Sequence, residues 1–285
     1  MICFSQNEQK TYPFAFDQIH HSYSLLNPTA LKANDFSFSS ILGFNDFNSL
    51  SKDVYTMYIK ADLSFSVKNH FLKARSKPKD KKPFHKLSLS LFPEKEGIYI
   101  NKTRSYLGYS YALPINEKIT ASLGVQLGYI NYAIHIPGGS SGGAPDASVG
   151  LGLFTDNFSI GISANQVLNS SLTLFVNPIK FSRFYTLMAE KSFTIHPLWK
   201  LKSSVFSTLN TPFSDLTFSN LFYYNNSFCM GSSLRIKYGV MAIVGIENIE
   251  LRDLLLLFSA SYRVNIGQEQ VINTNRVELT LGINF

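Results

Sequence analysis

His20 and His21 are, by residue type, the pair best suited in this sequence to hold a metal ion or carry a proton, since imidazole does both near neutral pH. Their spacing argues against it. Adjacent residues point to opposite faces of a strand and lie about 100° apart on a helix. No Cys, Asp or Glu completes a ligand pattern around them, so neither a zinc site nor a catalytic centre is expected there. Other stretches fail similarly. GGSSGGAP, 138–145, is glycine-rich but lacks the GK[ST] ending of a phosphate loop, and reads as a flexible surface loop. Neither a GxSxG elbow nor a paired-carboxylate motif occurs. Cys3 and Cys229 are too few for a disulfide framework or a metal cluster, and Cys229 is expected to pack as a small apolar residue. The sequence thus implies no catalysis and no cofactor.

The elements that would carry such residues are strands. VYTMYIKADLSFS, 54–66, sets Tyr55, Met57, Ile59, Ala61, Leu63 and Phe65 on one face. Thr56, Lys60, Asp62, Ser64 and Ser66 take the other, the period of two that defines a half-buried strand. KITASLGVQLGYINY, 118–132, repeats the pattern, and so does the closing RVELTLGINF, with Val277, Leu279, Leu281, Ile283 and Phe285 on one side. Fourteen strands are expected, at about 35–46, 53–66, 85–93, 102–113, 117–134, 146–155, 158–167, 181–194, 199–209, 214–224, 227–238, 240–249, 254–265 and 275–285. Many exceed the five or six residues usual in soluble sheets and match a tilted bilayer-crossing strand. Aromatic residues are 14% of the chain and charged ones only 16%, as befits strands with one apolar surround and one polar. No apolar run approaches the roughly 20 residues of a spanning helix.

The links support closure in a membrane. With a periplasmic N-terminus, links after even strands should be short: they read PINE, TDN, IHPL, YNN and IELRD. Links after odd strands include PEKEGIYIN, IPGGSSGGAP, NQVLNSSLTLFVNPIK and NIGQEQVINT. KYG near 237–239 and the long stretch 67–84 break this parity. A soluble sandwich has no reason to sort its loops so, whereas a closed barrel does, because backbone groups in lipid must all pair. The expected fold is therefore all-β: a closed antiparallel transmembrane β-barrel of about 14 strands over 35–285, with residues 1–34 as a helical or loop plug. Phe14, Phe16, Tyr23, Leu25 and Leu26 would pack in its lumen, and Pro28 would end the helix.

Two kinds of charge stand out. The stretch 68–86 holds eight Lys or Arg against one Asp, within a formal net charge of +7. Lys73, Arg75, Lys77, Lys79, Lys81 and Lys82 read either as a solvated loop or as a periplasmic arm for an acidic partner or anionic lipid, with nucleic acid excluded by an outer-membrane setting. Lys60 and Asp62 face the polar side of the second strand and are expected to pair inside the lumen. Glu190 and Lys191 fall on opposite faces, which puts one of them near a membrane edge.

The order of segments resembles the PorP/SprF family of type IX secretion outer-membrane proteins. HSYSLLNPTAL (21–31), RSYLGYSYALPINEKITASLGVQLGYINY (104–132), APDASVGLGLFTDNFSIGISANQVLN (144–169) and VELTLGINF carry it. Leu26, Asn27, Pro28, Pro145 and Asp146 stand in its motifs, and the final Phe285 resembles the assembly signal of outer-membrane barrels. Thr29 and Lys32-Ala33-Asn34 depart from its usual pattern, and MICFSQNEQK lacks the basic and apolar regions of a signal peptide. One reading is that Met1 is a late or artificial start and CFSQ the tail of a lost signal, as an outer-membrane destination would have it; a cytoplasmic protein is the alternative. The resemblance implies a FadL-like barrel, non-enzymatic, that binds or anchors secreted cargo with a C-terminal sorting domain, or machinery of secretion and gliding. Its implied partners are that cargo, periplasmic peptidoglycan-linked components and outer-membrane lipid. Transport of small hydrophobic molecules, a diffusion porin and a soluble sandwich are the competing readings.

Overall fold

The computed structural model describes residues 16–29, 36–45, 54–66, 83–174, 177–209, 215–236, 238–266 and 275–285. One helix, α1 (Ile19–Leu26), precedes the strands β1 (Phe36–Asn45), β2 (Tyr55–Phe65), β3 (Phe84–Glu96), β4 (Ile100–Pro114), β5 (Thr120–Ile134), β6 (Ser141–Phe154) and β7 (Phe158–Asn165). A short hairpin, β8 (Ser171–Leu174) and β9 (Asn177–Lys180), intervenes. Then come β10 (Phe184–His196), β11 (Trp199–Leu209), β12 (Asp215–Tyr224), β13 (Phe228–Arg235), β14 (Gly239–Leu251), β15 (Leu254–Val264) and β16 (Arg276–Asn284). All but β8 and β9 form one closed antiparallel barrel of fourteen strands, each beside its chain neighbour. The last strand pairs with the first from Ser37↔Asn284 to Asn45↔Arg276, so the wall has no edge.

The alternation decides which face meets what. On β2 the polar residues Thr56, Lys60, Asp62 and Ser64 are buried inside, while Leu63 and Phe65 are exposed. Leu89, Leu107, Leu127, Leu151 and Leu281 are likewise exposed on their strands. An apolar exterior running round the whole wall far exceeds the patches a water-soluble monomer tolerates, and it suits acyl chains. Phe36, Phe158, Tyr224, Phe228 and Phe285 stand exposed at strand ends on the short-turn side, an aromatic girdle at one interface. Phe36 and Phe285 meet edge to face at 5.6 Å across the seam. Leu127, mid-strand and 64% exposed, should feel the hydrocarbon most. Leu127→Arg is expected to lower barrel stability by about 2–4 kcal/mol, read by reversible refolding into lipid vesicles.

Several sequence expectations need correction. Ser141–Pro145 is not a flexible loop but the first third of β6, paired to β5 through Tyr129↔Pro145 and Ala133↔Ser141. PEKEGIYIN is not a long loop either, because β3 and β4 continue to a turn at 97–99 in which Gly97 takes φ 68°. The long link after β7 is a folded element. Gln166 and Asn169 adopt positive φ and turn the chain away from the wall. The β8–β9 hairpin then packs Leu172 and Leu174 with Phe181 against the inward Ile130, Tyr132 and Ala144. It therefore sits inside the barrel at the long-loop end.

Candidate functional site in the barrel lumen

The segment 16–29 crosses the lumen, and three features of the sequence place it there. Its apolar residues Phe16, Ile19, Tyr23, Leu25 and Leu26 are buried against Ile41, Tyr58, Phe92, Phe184, Met188 and Phe206 of the inner wall. These wall residues occupy the phase that is otherwise polar, so the interior alternation is broken where the helix rests. Asn27 closes α1 with its N–H bonded to the Tyr23 carbonyl at 2.9 Å and its own backbone extended, as expected before Pro28.

The start of the segment is held by charge. Asp17 Oδ1 accepts from Arg263 Nη1 at 2.8 Å and Arg235 Nη1 at 3.1 Å, and Arg235 Nε also donates to Asp215. The backbone N–H groups of Asp17 and Gln18 donate to the Glu278 carboxylate at 2.8–3.0 Å. Gln18 Nε2 donates to Ser261 Oγ at 2.9 Å and its Oε1 accepts from Ser259 Oγ at 2.7 Å. Burial would raise the Asp17 carboxyl pKa, but Arg263, Arg235 and Arg276 outweigh it and hold the group below the ordinary carboxylate range. Buried charges are tolerated when paired and hydrogen-bonded, and here every carboxylate has a cationic partner.

The end of the segment is held by shape. Leu26 is buried and its carbonyl accepts from Ser163 Oγ at 2.6 Å. Asn27 Nδ2 donates to the Ile162 carbonyl at 3.1 Å. Pro28 lies over Gly124 and Asn27 over Gly150 and Gly161, so closely that a Cβ on any of the three would overlap the segment. The glycines of the "LGVQLG", "VGLG" and "SIGIS" strands are thus the floor on which LLNPT rests.

Of the remaining positions singled out from sequence, Asp146 faces inward and accepts from Tyr106 O–H at 2.9 Å and from the Ala147 N–H at 2.8 Å. It joins the wall rather than Leu26, Asn27 and Pro28, and Pro145 faces outward. Lys60 and Asp62 pair at 2.7 Å, and Lys86 joins them at 2.8 Å. Glu190 faces the lumen and pairs with Lys202 at 3.0 Å, while Lys191 lies outside over the Phe193 ring. Val277, Leu279, Leu281 and Ile283 line the outer face of β16, with Phe285 just beyond its end. Phe14 and the basic residues Lys73, Arg75, Lys77, Lys79, Lys81 and Lys82 lie outside the described residues.

Sequence reasoning missed Arg235, Arg263, Arg276, Glu278 and Asp215. Their signal was available: Asp215, Arg235 and Arg263 are lone charges on the polar phase of their strands, which in a barrel need an opposite charge inside, and Arg276 and Glu278 sit two residues apart on one strand and pair at 2.9 Å. It also missed Glu247. The fold brings that β14 carboxylate 3.6 Å from His21 Nε2, beside His20, with Cys229 Sγ 3.7 Å from the same oxygen. Burial leads in pushing both imidazoles far down, His21 to about 3 with Lys202 adding to the effect, so both rings are neutral.

The type IX secretion system membrane protein family PorP/SprF matches residues 8–283. The chain belongs to the PorP/SprF family. Membership makes it an outer-membrane component of type IX secretion, associated with that machinery. Both the family and the barrel are non-enzymatic kinds. Among curated proteins, none matches this sequence closely enough to count as a relative. Solved structures share the architecture. The toluene transporter TbuX of Ralstonia pickettii gives a TM-score of 0.56 at 9% identity, with 93% of each chain covered. The monoaromatic hydrocarbon channel CymD gives 0.56 at 11%, covering 93% of this chain and 91% of its own. The toluene transporter TodX of P. putida gives 0.53 at 13%, covering 92% and 94%. At such identities the likeness establishes the FadL-like fold alone. In PorP/SprF terms, the motif LLNP and the glycine strands now have a shared physical reason, since one seats on the other.

Proposed function

We propose that this PorP/SprF protein is a non-enzymatic platform that binds or anchors secreted cargo carrying a C-terminal sorting domain, or machinery proteins, at the cell surface. The observation supporting this over transport is the occupied lumen: a segment tied by charge at one end and shape at the other, with the β8–β9 hairpin folded into the long-loop mouth. A channel spends its interior on a path, whereas a platform needs only a stable wall and exposed loops. We read residues 1–34 as the plug unit and 35–285 as the barrel. Affinity purification from detergent-solubilised membranes tests the reading. Co-purification of a protein with a C-terminal sorting domain is expected; the barrel alone with a bound apolar molecule would reject it.

Transport of small hydrophobic molecules is the second reading, favoured by the apolar cluster around Tyr58, Phe92 and Phe184 and by what the structural neighbours are named for. It requires the plug to move, and steady conductance or ligand uptake by the intact protein would favour it.

Two further expectations attach to the platform. The basic residues between β2 and β3 (Lys73, Arg75, Lys77, Lys79, Lys81 and Lys82) would serve a periplasmic acidic partner or anionic lipid. Exchanging all six for Gln should reduce co-purification of that partner at low salt and leave little difference at high salt, because screening removes long-range attraction. The outer face of β16 with Phe285 would act as the assembly signal. Phe285→Ser should lower the fraction of heat-modifiable, membrane-inserted barrel seen on gels of whole membranes, with total expression unchanged.

A further inference from the structure

The cluster at His20, His21 and Glu247 has no use in the platform reading. It lies at the short-turn end of the lumen, near the β12–β13 and β14–β15 turns. Three features single it out among the described residues. The Nε2 atoms of both histidines are buried and have no hydrogen-bond partner, an unfavourable state for a polar nitrogen unless something else occupies it. The ligand atoms of His20, His21 and Glu247 all lie within 4.8 Å of one another. Glu247 sits at a β-bulge, where the β14–β15 register slips between Ile246 and Ile249 and Asn248 takes φ 55°. A bulge re-aims side chains and is commonly placed beside functional groups. The bulge is itself fastened, with Asn248 Nδ2 bonded to the Asn226 carbonyl at 2.8 Å.

We propose that His20, His21 and Glu247 bind one divalent transition-metal ion of the zinc class, which ties the plug helix to the barrel wall. The chemistry fits this ion class. Two neutral imidazoles and a carboxylate form a familiar zinc donor set, and bonds of about 2.0–2.2 Å put tetrahedral ligand atoms about 3.3 Å apart. His21 Nε2 and Glu247 Oε1, at 3.6 Å, are close to that already. Calcium and magnesium are disfavoured, because they take oxygen ligands. The adjacency of the two histidines, which argued against a site on the sequence alone, is accommodated because their rings tilt together, centroids 4.0 Å apart. Glu247 is oriented by the Tyr223 hydroxyl at 3.2 Å, a positioning contact of the kind metal carboxylates need. Lys202, whose charge acts on both imidazoles, is already paired with Glu190 at 3.0 Å.

The test uses the full chain without a polyhistidine tag, purified in detergent, stripped with chelator, dialysed against Zn²⁺ and washed. About one zinc per chain is expected, with His21→Gln and Glu247→Gln each weakening binding by at least about tenfold. His135→Gln, at an exposed histidine outside the cluster, should change nothing. All variants are checked for heat-modifiable migration as proof of a folded barrel. Should Glu247→Gln misfold, His21→Gln decides, since it leaves the wall untouched. Co²⁺ in place of Zn²⁺ adds a spectroscopic readout: visible absorption of a four-coordinate ion in the wild type, lost in His20→Gln. Zinc retained equally by the His21 and Glu247 variants, or none retained by the wild type, overturns the proposal.

Discussion

Gly124→Ala, and more so Gly124→Leu, is expected to open the barrel. The atom a side chain would meet at this position is the Pro28 carbonyl oxygen, with the Thr29 nitrogen 2.8 Å away. Both belong to backbone, which cannot rotate aside as a long side chain does. Nor can β5 retreat, because it is paired on one side to β4 through Ser110↔Gly124 and on the other to β6 through Gly124↔Gly150. Sideways escape of the plug is blocked by Asn27, hydrogen-bonded to the Ile162 carbonyl. The segment must therefore lift from its floor, at a cost of about 1–3 kcal/mol for the methyl and more for the larger chain. The barrel wall loses nothing, since position 124 faces the lumen. In planar bilayers the wild type should stay closed, Gly124→Ala should flicker and Gly124→Leu should conduct for long intervals, with all three equally heat-modifiable. Silence from Gly124→Leu would mean that the bore is closed by something other than the segment 16–29.

Asp17→Asn should be the most destabilising polar change. Its carboxylate stands between Arg263 and Arg235, with Arg276 and Glu278 beyond. Removing the charge but not the shape leaves Arg263 buried beside a neutral amide, the circumstance in which a lost partner costs about 3–5 kcal/mol. Denaturant unfolding in detergent, followed by the fluorescence of Trp199, the one tryptophan, measures it. The double variant Asp17→Asn, Arg263→Gln should recover a good part of the loss, because neither group is then left charged alone. Equal losses in the single and double variants would place the cost in packing instead.

The barrel was legible in the sequence because a membrane imposes one rule on every strand. Alternation at 54–66, 118–132 and 276–285 assigns the outer face, and loop parity then assigns closure. What escaped lies inside. Lys60 and Asp62 were readable as an interior pair because they sit two residues apart on one strand. Asp17 with Arg263, or His21 with Glu247, are partners across 246 and 226 residues, and no local spacing encodes which charge faces which across a bore. The β8–β9 hairpin escaped because four-residue strands bounded by Asn and Ser look like a loop. Ser141–Pro145 was hidden by its glycines, which usually signal flexibility and here let β6 pass Tyr129 and the hairpin closely.

The segment between Asp17 and Asn27 is fastened to β13, β15 and β16 at one end and to β5, β6 and β7 at the other. Its helical stretch spans about 12 Å. It is thus a strut whose length gauges the circumference. A ring gaining or losing one hairpin would shift the two anchorages relative to each other and leave one undocked. The number of staves in this cask is checked from within, by a part that is made before any of them.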